Sequence, residues 1–462
     1  MIEALRAQPL AVHPADHELL AERVFEIASA ARTRIEEASG PLTAVILGGS
    51  LARGEGTVWR GRGGPRVLSD IDLFFVTANE GARDRGRAMA PYVARGLTRR
   101  LPDRGVDGAV DLGVYAPRDL ARMTPRPGTL ELRRSGRVLA GEAGVLAGVT
   151  ALEEKDVPRE EALVLLENRG IELLLAWPGD AGPGERTRHL NALYAGLKAW
   201  LDGAFAFVVA HGRCPANLEA RQAALEALTV EGRSEVLRAV LPDSSSGLAF
   251  WSAMKRAPDP MAIALRLRVR DSEDLSALAR RAWSEGARAW LGFYRATGVL
   301  GDPVGESAPG TGRTTRVPGV PELARHAAHR ARFRRRLRRW AEVSRSHSRD
   351  EQEGRARWAL RPWPERLSLV FRGTPEHELA ACGAVLLAAW SGESGESSGA
   401  VGPPDWRRTM RALFPGRCPD TLEWDRCRMA VVRLWDSMHM AGTRTAWEPD
   451  GPRNTDASGE EA

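Results

Sequence analysis

Asp70 and Asp72 stand one residue apart in the apolar run Asp70-Ile71-Asp72-Leu73-Phe74-Phe75-Val76. Side chains alternate across a strand, so both carboxylates leave one face while Ile71 and Leu73 take the other. Aspartate is a poor strand former and an unpaired charge is costly to bury, so the pair needs a reason beyond folding. A shared cation supplies one. Oxygen-only ligands suit magnesium or manganese, and magnesium is usually held by one or two carboxylates plus the phosphates of a substrate.

Upstream lies Gly48-Gly49-Ser50-Leu51-Ala52-Arg53-Gly54-Glu55-Gly56, entered from the apolar run Ala44-Val45-Ile46-Leu47. Glycines let the backbone approach a phosphate and turn several N–H groups toward its oxygens. Ser50 adds a hydroxyl donor, and a helix beginning near Leu51 would direct its positive end at the same anion. Arg53 and Glu55 are secondary candidates, since such residues more often cap or salt-bridge a helix start.

In this order, strand, Gly-Ser turn, helix start and Asp-x-Asp on the next strand, residues 44–115 resemble the DNA polymerase β-like nucleotidyltransferase superfamily. Ala52-Arg53-Gly54 resembles its small bacterial members. The resemblance implies a third carboxylate on a later strand, for which Asp111 in Val110-Asp111-Leu112 fits and Asp107 is the fallback. It also implies two metal ions held by Asp70, Asp72 and Asp111, with magnesium or manganese as cofactor and a nucleoside triphosphate as donor. The implied reaction is in-line attack of an acceptor hydroxyl on the α-phosphorus with loss of pyrophosphate, with Asp111 as the candidate base. Gly48, Gly49, Ser50 and Arg53 then face the nucleotide. Lys198, one of the chain's few lysines, is a candidate triphosphate ligand on a helix after the sheet. The chain departs from compact members in the longer gap between Ser50 and Asp70. Val58-Trp59-Arg60 and Arg66-Val67-Leu68, around a glycine-rich turn, read as a hairpin insertion that keeps both ends in place and either covers or shapes the pocket.

The elements that must position these residues follow from periodicity. Leu20, Val24, Ile27, Ala31 and Ile35 predict a helix over 17–38, ended by Gly40-Pro41. Strands are predicted at 44–47, 70–76 and 108–115, with a helix over 81–101 between the last two. Strands alternating with helices mean an α/β or α+β sheet of a few strands, and α+β with a small mixed β-sheet in residues 1–150, as in the family it resembles, is the expectation. Beyond it the patterns are helical, at 160–177, 189–211, 218–228, 234–240 and 272–293, and give a mostly α-helical domain over 151–300 that supports the nucleotide and acceptor. Residues 301–321, rich in Gly, Pro, Ser and Thr, read as a linker, 322–447 as a helical C-terminal region and 448–462 as a disordered tail.

Composition adds limits. Net charge is +6, but Lys155, Lys198 and Lys255 are the lysines and arginine carries the rest in a chain rich in Ala and Gly. That skew reads as coding bias, so the charge says little about a polyanionic partner. The cluster Arg332 to Arg339 shares its helix with Leu323, Phe333, Leu337 and Trp340, which favours a solvated basic face over an RNA groove. Cys214, Cys382, Cys418 and Cys427 fit neither zinc spacing nor a disulfide framework. The longest apolar run, 378–390, falls short of the ~20 residues of a spanning helix, and the first 20 residues lack a signal pattern, so a cytoplasmic location is expected with no membrane partner. The acceptor is expected to be a hydroxylated small molecule, with RNA- and protein-directed transfer and second-messenger synthesis open. The rival expectation is a catalytically silent nucleotide-binding protein.

Overall fold

The computed structural model describes residues 1–11, 13–61, 64–179, 185–230 and 275–297, with 386–387, 428–429 and 431–432. The expected helix at 234–240, the linker, most of the C-terminal region with its arginine cluster, and the tail lie outside the described residues. The chain divides into two compact units, one built on Met1–Leu152 and one on residues from Glu153 onward.

The first unit opens with α1 (Ile2–Arg6) and α2 (Pro14–Ser39). Pro14 at the first helical position needs no amide partner, and Gly40 at φ 84° ends the helix. The chain then turns through β1 (Leu42–Leu47), α3 (Gly49–Ala52) and the hairpin of β2 (Val58–Gly61) and β3 (Gly64–Val67). β4 (Ile71–Thr77) leads into α4 (Glu80–Thr98), whose N-cap Asn79 accepts the Ala82 N–H at 2.9 Å. β5 (Val110–Tyr115), α5 (Pro117–Leu120), α6 (Pro127–Ser135) and β6 (Arg137–Gly141) complete it.

The class is α+β with a small mixed sheet, the expected one of the two classes that the patterning allows. The sheet order is β5-β4-β1-β6, with β4 and β5 parallel and the other pairs antiparallel. β6 is an element the sequence reading lacks. It has five residues and no alternation of polar and apolar positions, and it is a strand because it pairs with β1.

Strand parity gives the sheet two faces. Val45, Leu47, Ile71, Leu73, Phe75, Val110 and Val114 face the main core with Leu20, Val24, Ile27 and Ile35 of α2 and Val93 of α4. Ala44, Ile46 and Val76 face a smaller core with Leu120 of α5 and Leu132 of α6, against which Phe74 and Tyr115 also pack. The even residues of β4 and the odd residues of β5 share this second face, and Asp72 and Asp111 belong to it.

The second unit contains α7 (Glu161–Leu175), α8 (Arg186–Ala210), α9 (Leu218–Val230) and α10 (Leu275–Ala296). Two buried tryptophans of α10 are satisfied by backbone carbonyls of α7, Trp283 Nε1 donating to Leu173 O at 2.7 Å and Trp290 Nε1 to Leu166 O at 2.8 Å. α8 and α10 approach closely at Gly196 and Gly286, where a Cβ on Gly286 would fall 2.5 Å from the Gly196 Cα. Among the described residues α8 alone is long and apolar enough to cross a membrane, and 83% of its apolar window is buried inside the protein, as for a core helix.

Candidate functional site

Asp72 and Asp111 occupy matched positions in the parallel β4–β5 pair. Adjacent strands lie about 4.8 Å apart, so two carboxylates project side by side from one sheet face. Like charges at neighbouring cross-strand positions repel, and a divalent cation relieves that repulsion. Asp72 is half-buried and Asp111 exposed. Asp70 precedes the first residue of β4, and its Oδ1 accepts the Ala109 N–H at 3.0 Å while Ile71 N donates to Ala109 O at 2.8 Å. The aspartate expected as the first strand residue thus also fixes where β5 joins β4. Among the described residues no group of three or more His, Cys, Asp and Glu side chains is gathered closely enough to hold a metal. The donor set suits a hard cation through Asp72 and Asp111, with Asp70 beside them and turned to the Ala109 amide.

The glycine turn abuts the carboxylates. Gly48 extends β1 and donates its N–H to Asp72 O at 2.9 Å. Gly49 sits at φ 63°, and the Asp72 carboxylate takes up the space where a Cβ of Gly49 would lie. A Cβ on Gly48 would collide with the Phe74 ring. Both glycines are therefore required by contact with β4 side chains, apart from any approach of a phosphate. Ser50 is half-buried in α3. The helix expected after the serine is the single turn Gly49–Ala52, so little macrodipole develops and the backbone N–H groups of the turn are what it offers an anion.

Behind the turn lies a polar scaffold. Arg53 is almost fully buried, and its guanidinium meets Glu55 at 2.9 Å and also Glu131 of α6. The salt-bridge alternative for Arg53 and Glu55 is thus what the structure contains, and it ties α3 to α6. Arg137 of β6 donates from Nε to Ala52 O at 2.6 Å, from Nη1 to Gln8 O at 2.9 Å and from Nη2 to Pro9 O at 2.5 Å. Burial holds its pKa below the usual arginine value. Gly56 N also donates to Leu10 O at 2.9 Å, so the N-terminal segment backs the turn.

Asp107 does other work. Its buried carboxylate receives Arg66 Nε at 2.7 Å and Nη2 at 2.5 Å, a bidentate clamp that raises the Arg66 pKa. The clamp fixes the hairpin, helped by Val67 N to Gly105 O at 2.8 Å and Asp107 N to Val67 O at 2.7 Å. A groove of about 540 Å³ opens next to it, lined by Arg23, Glu26, Arg66, Asp103 and Arg104. None of the three candidate carboxylates lines this groove. Within it Glu26 pairs with Arg23 at 3.3 Å and with Arg104 at 3.2 Å.

Lys198 belongs to the helical unit, where its ammonium lies 5.2 Å from the Tyr194 ring centroid and 4.0 Å from Glu172. Arg169 pairs with Glu172 and Asp202 in the same unit.

Sequence reading overlooked Phe74 and Tyr115. Both share the aspartate face, with ring centroids 6.0 Å apart and planes inclined by 32°. Parity alone locates them, since they stand two and four residues beyond Asp72 and Asp111. Burial raises the Tyr115 pKa above its ordinary value, against an opposing pull from Arg87, whose guanidinium lies 5.5 Å from the ring centroid. No protein-family model matches the chain, and no curated protein sequence matches it.

Proposed function

We propose that this chain is a metal-dependent nucleotidyltransferase that moves a nucleoside monophosphate from a triphosphate to a hydroxyl on a small-molecule acceptor. The supporting observation is the matched pair Asp72 and Asp111 beside the Gly48-Gly49-Ser50 turn, a two-carboxylate face next to a backbone that admits a phosphate. Asp72 and Asp111, with Asp70 adjacent, are the residues that would hold magnesium or manganese. Such an ion, when bound, neutralises phosphate charge and acidifies a coordinated hydroxyl. The turn lets the triphosphate lie close to the backbone. Asp111, the most exposed of the three, takes the acceptor proton as the acceptor oxygen bonds to the α-phosphorus and the bond to pyrophosphate breaks. The helical unit, with Lys198, is assigned to substrate support, and the protein is assigned to the cytoplasm.

One observation favours a second reading. The Asp70 Oδ1 is engaged by the Ala109 N–H, which suits a silent protein that senses triphosphate without turning it over. Incubation of the full chain with labelled triphosphates, magnesium and pools of hydroxylated acceptors separates the two. A nucleotidylated product with pyrophosphate, lost in Asp70→Ala, supports the enzyme. Binding without product in every pool supports the sensor, and neither binding nor product removes both.

A further inference from the structure

The aspartate face continues into an aromatic floor with an unusual boundary. The Phe74 ring lies between two positions without side chains. A Cβ on Gly48 would come within 3.2 Å of Phe74 Cδ2, and one on Gly113 within 3.0 Å of Phe74 Cδ1. Tyr115 folds back along β5 over the same glycine, its Cε2 2.6 Å and its hydroxyl 3.3 Å from where a Gly113 Cβ would sit. Gly113 therefore leaves the room that the near edges of both rings occupy. Phe74 and Tyr115 are half-buried, packed in part against the smaller core, in contrast to Phe75 on the opposite face, which is fully buried. Arg87 braces the tyrosine from the side, with Nε donating to Val114 O at 2.8 Å and Nη2 to Asp119 at 3.3 Å.

We infer that the Phe74–Tyr115 pair, given room by Gly48 and Gly113, seats the planar base of the nucleotide whose phosphates lie at Asp72 and Asp111. The inference rests on the nucleotidyltransferase reading and adds where, and how selectively, the base is held. Phe74 stands two residues along β4 from Asp72, about 6.6 Å at strand rise, which suits the span of a ribose between an α-phosphate and its base. The floor offers π-faces and one hydroxyl, so it holds any base by stacking and discriminates weakly among them. The Arg87 guanidinium near Tyr115 adds a cationic edge without a base-specific contact.

The test compares ATP with inorganic tripolyphosphate, each with magnesium, by calorimetric titration of the full-length protein. Stacking predicts that ATP binds roughly tenfold or more tightly than tripolyphosphate. Phe74→Leu and Tyr115→Leu, which keep apolar volume, should each erase most of that advantage, leave tripolyphosphate binding unchanged, and weaken ATP, GTP, CTP and UTP alike. Equal affinity of the wild type for ATP and tripolyphosphate overturns the floor and leaves the phosphate site standing. Binding of neither ligand removes the nucleotidyltransferase reading as well. If both leucine variants fail to fold, the wild type decides through 2-aminopurine riboside triphosphate, whose fluorescence should be quenched on binding; undiminished fluorescence in the bound state overturns the proposal.

Discussion

The carboxylate of Asp72 fills the space that a side chain on Gly49 would need, and Gly49 holds a left-handed backbone there. Gly49→Ala is expected to destabilise the protein by about 1–2 kcal/mol from backbone conformation alone, because a Cβ is disfavoured at positive φ. It should also push Asp72 off its position. Urea denaturation measures the first effect and magnesium-dependent stabilisation by ATP the second. An alanine variant with unchanged midpoint and unchanged response to ATP would show that this contact constrains neither residue.

Asp72→Asn and Asp111→Asn remove one member of the in-register pair while keeping shape. Magnesium with ATP should raise the melting temperature of the wild type and leave either variant nearly unmoved, since a single carboxylate beside a neutral amide holds the ion weakly. ATP with a chelator should shift none of the three. An equal magnesium-dependent shift in Asp111→Asn would take that residue out of the site.

The clamp between Arg66 and Asp107 makes a prediction of the opposite kind. The Asp107 side chain is 0% exposed, so Arg66→Ala removes a bidentate partner from a buried charge and should cost roughly 3 kcal/mol. Replacing both, Arg66→Met with Asp107→Leu, should recover most of the loss, as apolar substitution of a buried pair often does. Chemical denaturation of the single and double variants reads the difference. Because Asp107 serves the hairpin, the double variant should keep its magnesium-dependent response to ATP.

Asp119 links stability to pH. Burial pushes its carboxyl upward, but the Ala116 N–H, Arg87 and Arg83 outweigh it and hold the pKa below the ordinary 3.8. A depressed carboxylate stabilises the fold above its unfolded pKa and loses that contribution as pH falls through its folded value. Asp119→Asn should therefore be less stable than wild type at neutral pH, with the gap closing below about pH 4. Melting curves from pH 7 to pH 3 test it, and a gap that widens toward acid would reverse the assignment.

Several parts of this fold are legible in the chain itself. α2, β1, the hairpin, β4 and β5 follow from periodicity and glycine punctuation, because each carries an apolar stripe or run that local residues define. Side-chain parity within β4 likewise puts Asp72 and Phe74 on one face by spacing alone. β6 is not legible in this way, since Arg137-Val138-Leu139-Ala140-Gly141 has no pattern of its own and gains strand form only beside β1. Nor is the fate of Arg53, whose partner Glu131 lies 78 residues away on α6. The Asp70 bond to Ala109 is equally non-local, and it separates a pair of aspartates that the sequence presents as equivalent.

The hairpin is sewn shut at its root. Leu68 N reaches Thr57 O at 2.9 Å, Thr57 N reaches Ser69 Oγ at 2.8 Å, and Val67 is bridged to Val106. Asp70 thus inherits its position from this seam rather than from the length of chain between the strands, so the turn between Gly61 and Gly64 can change length while Arg60 and Arg66 keep their ion pairs with Asp16 and Asp107. Protein engineers therefore have room to lengthen or shorten that turn, for instance to install a reporter, without redesigning the sheet beneath.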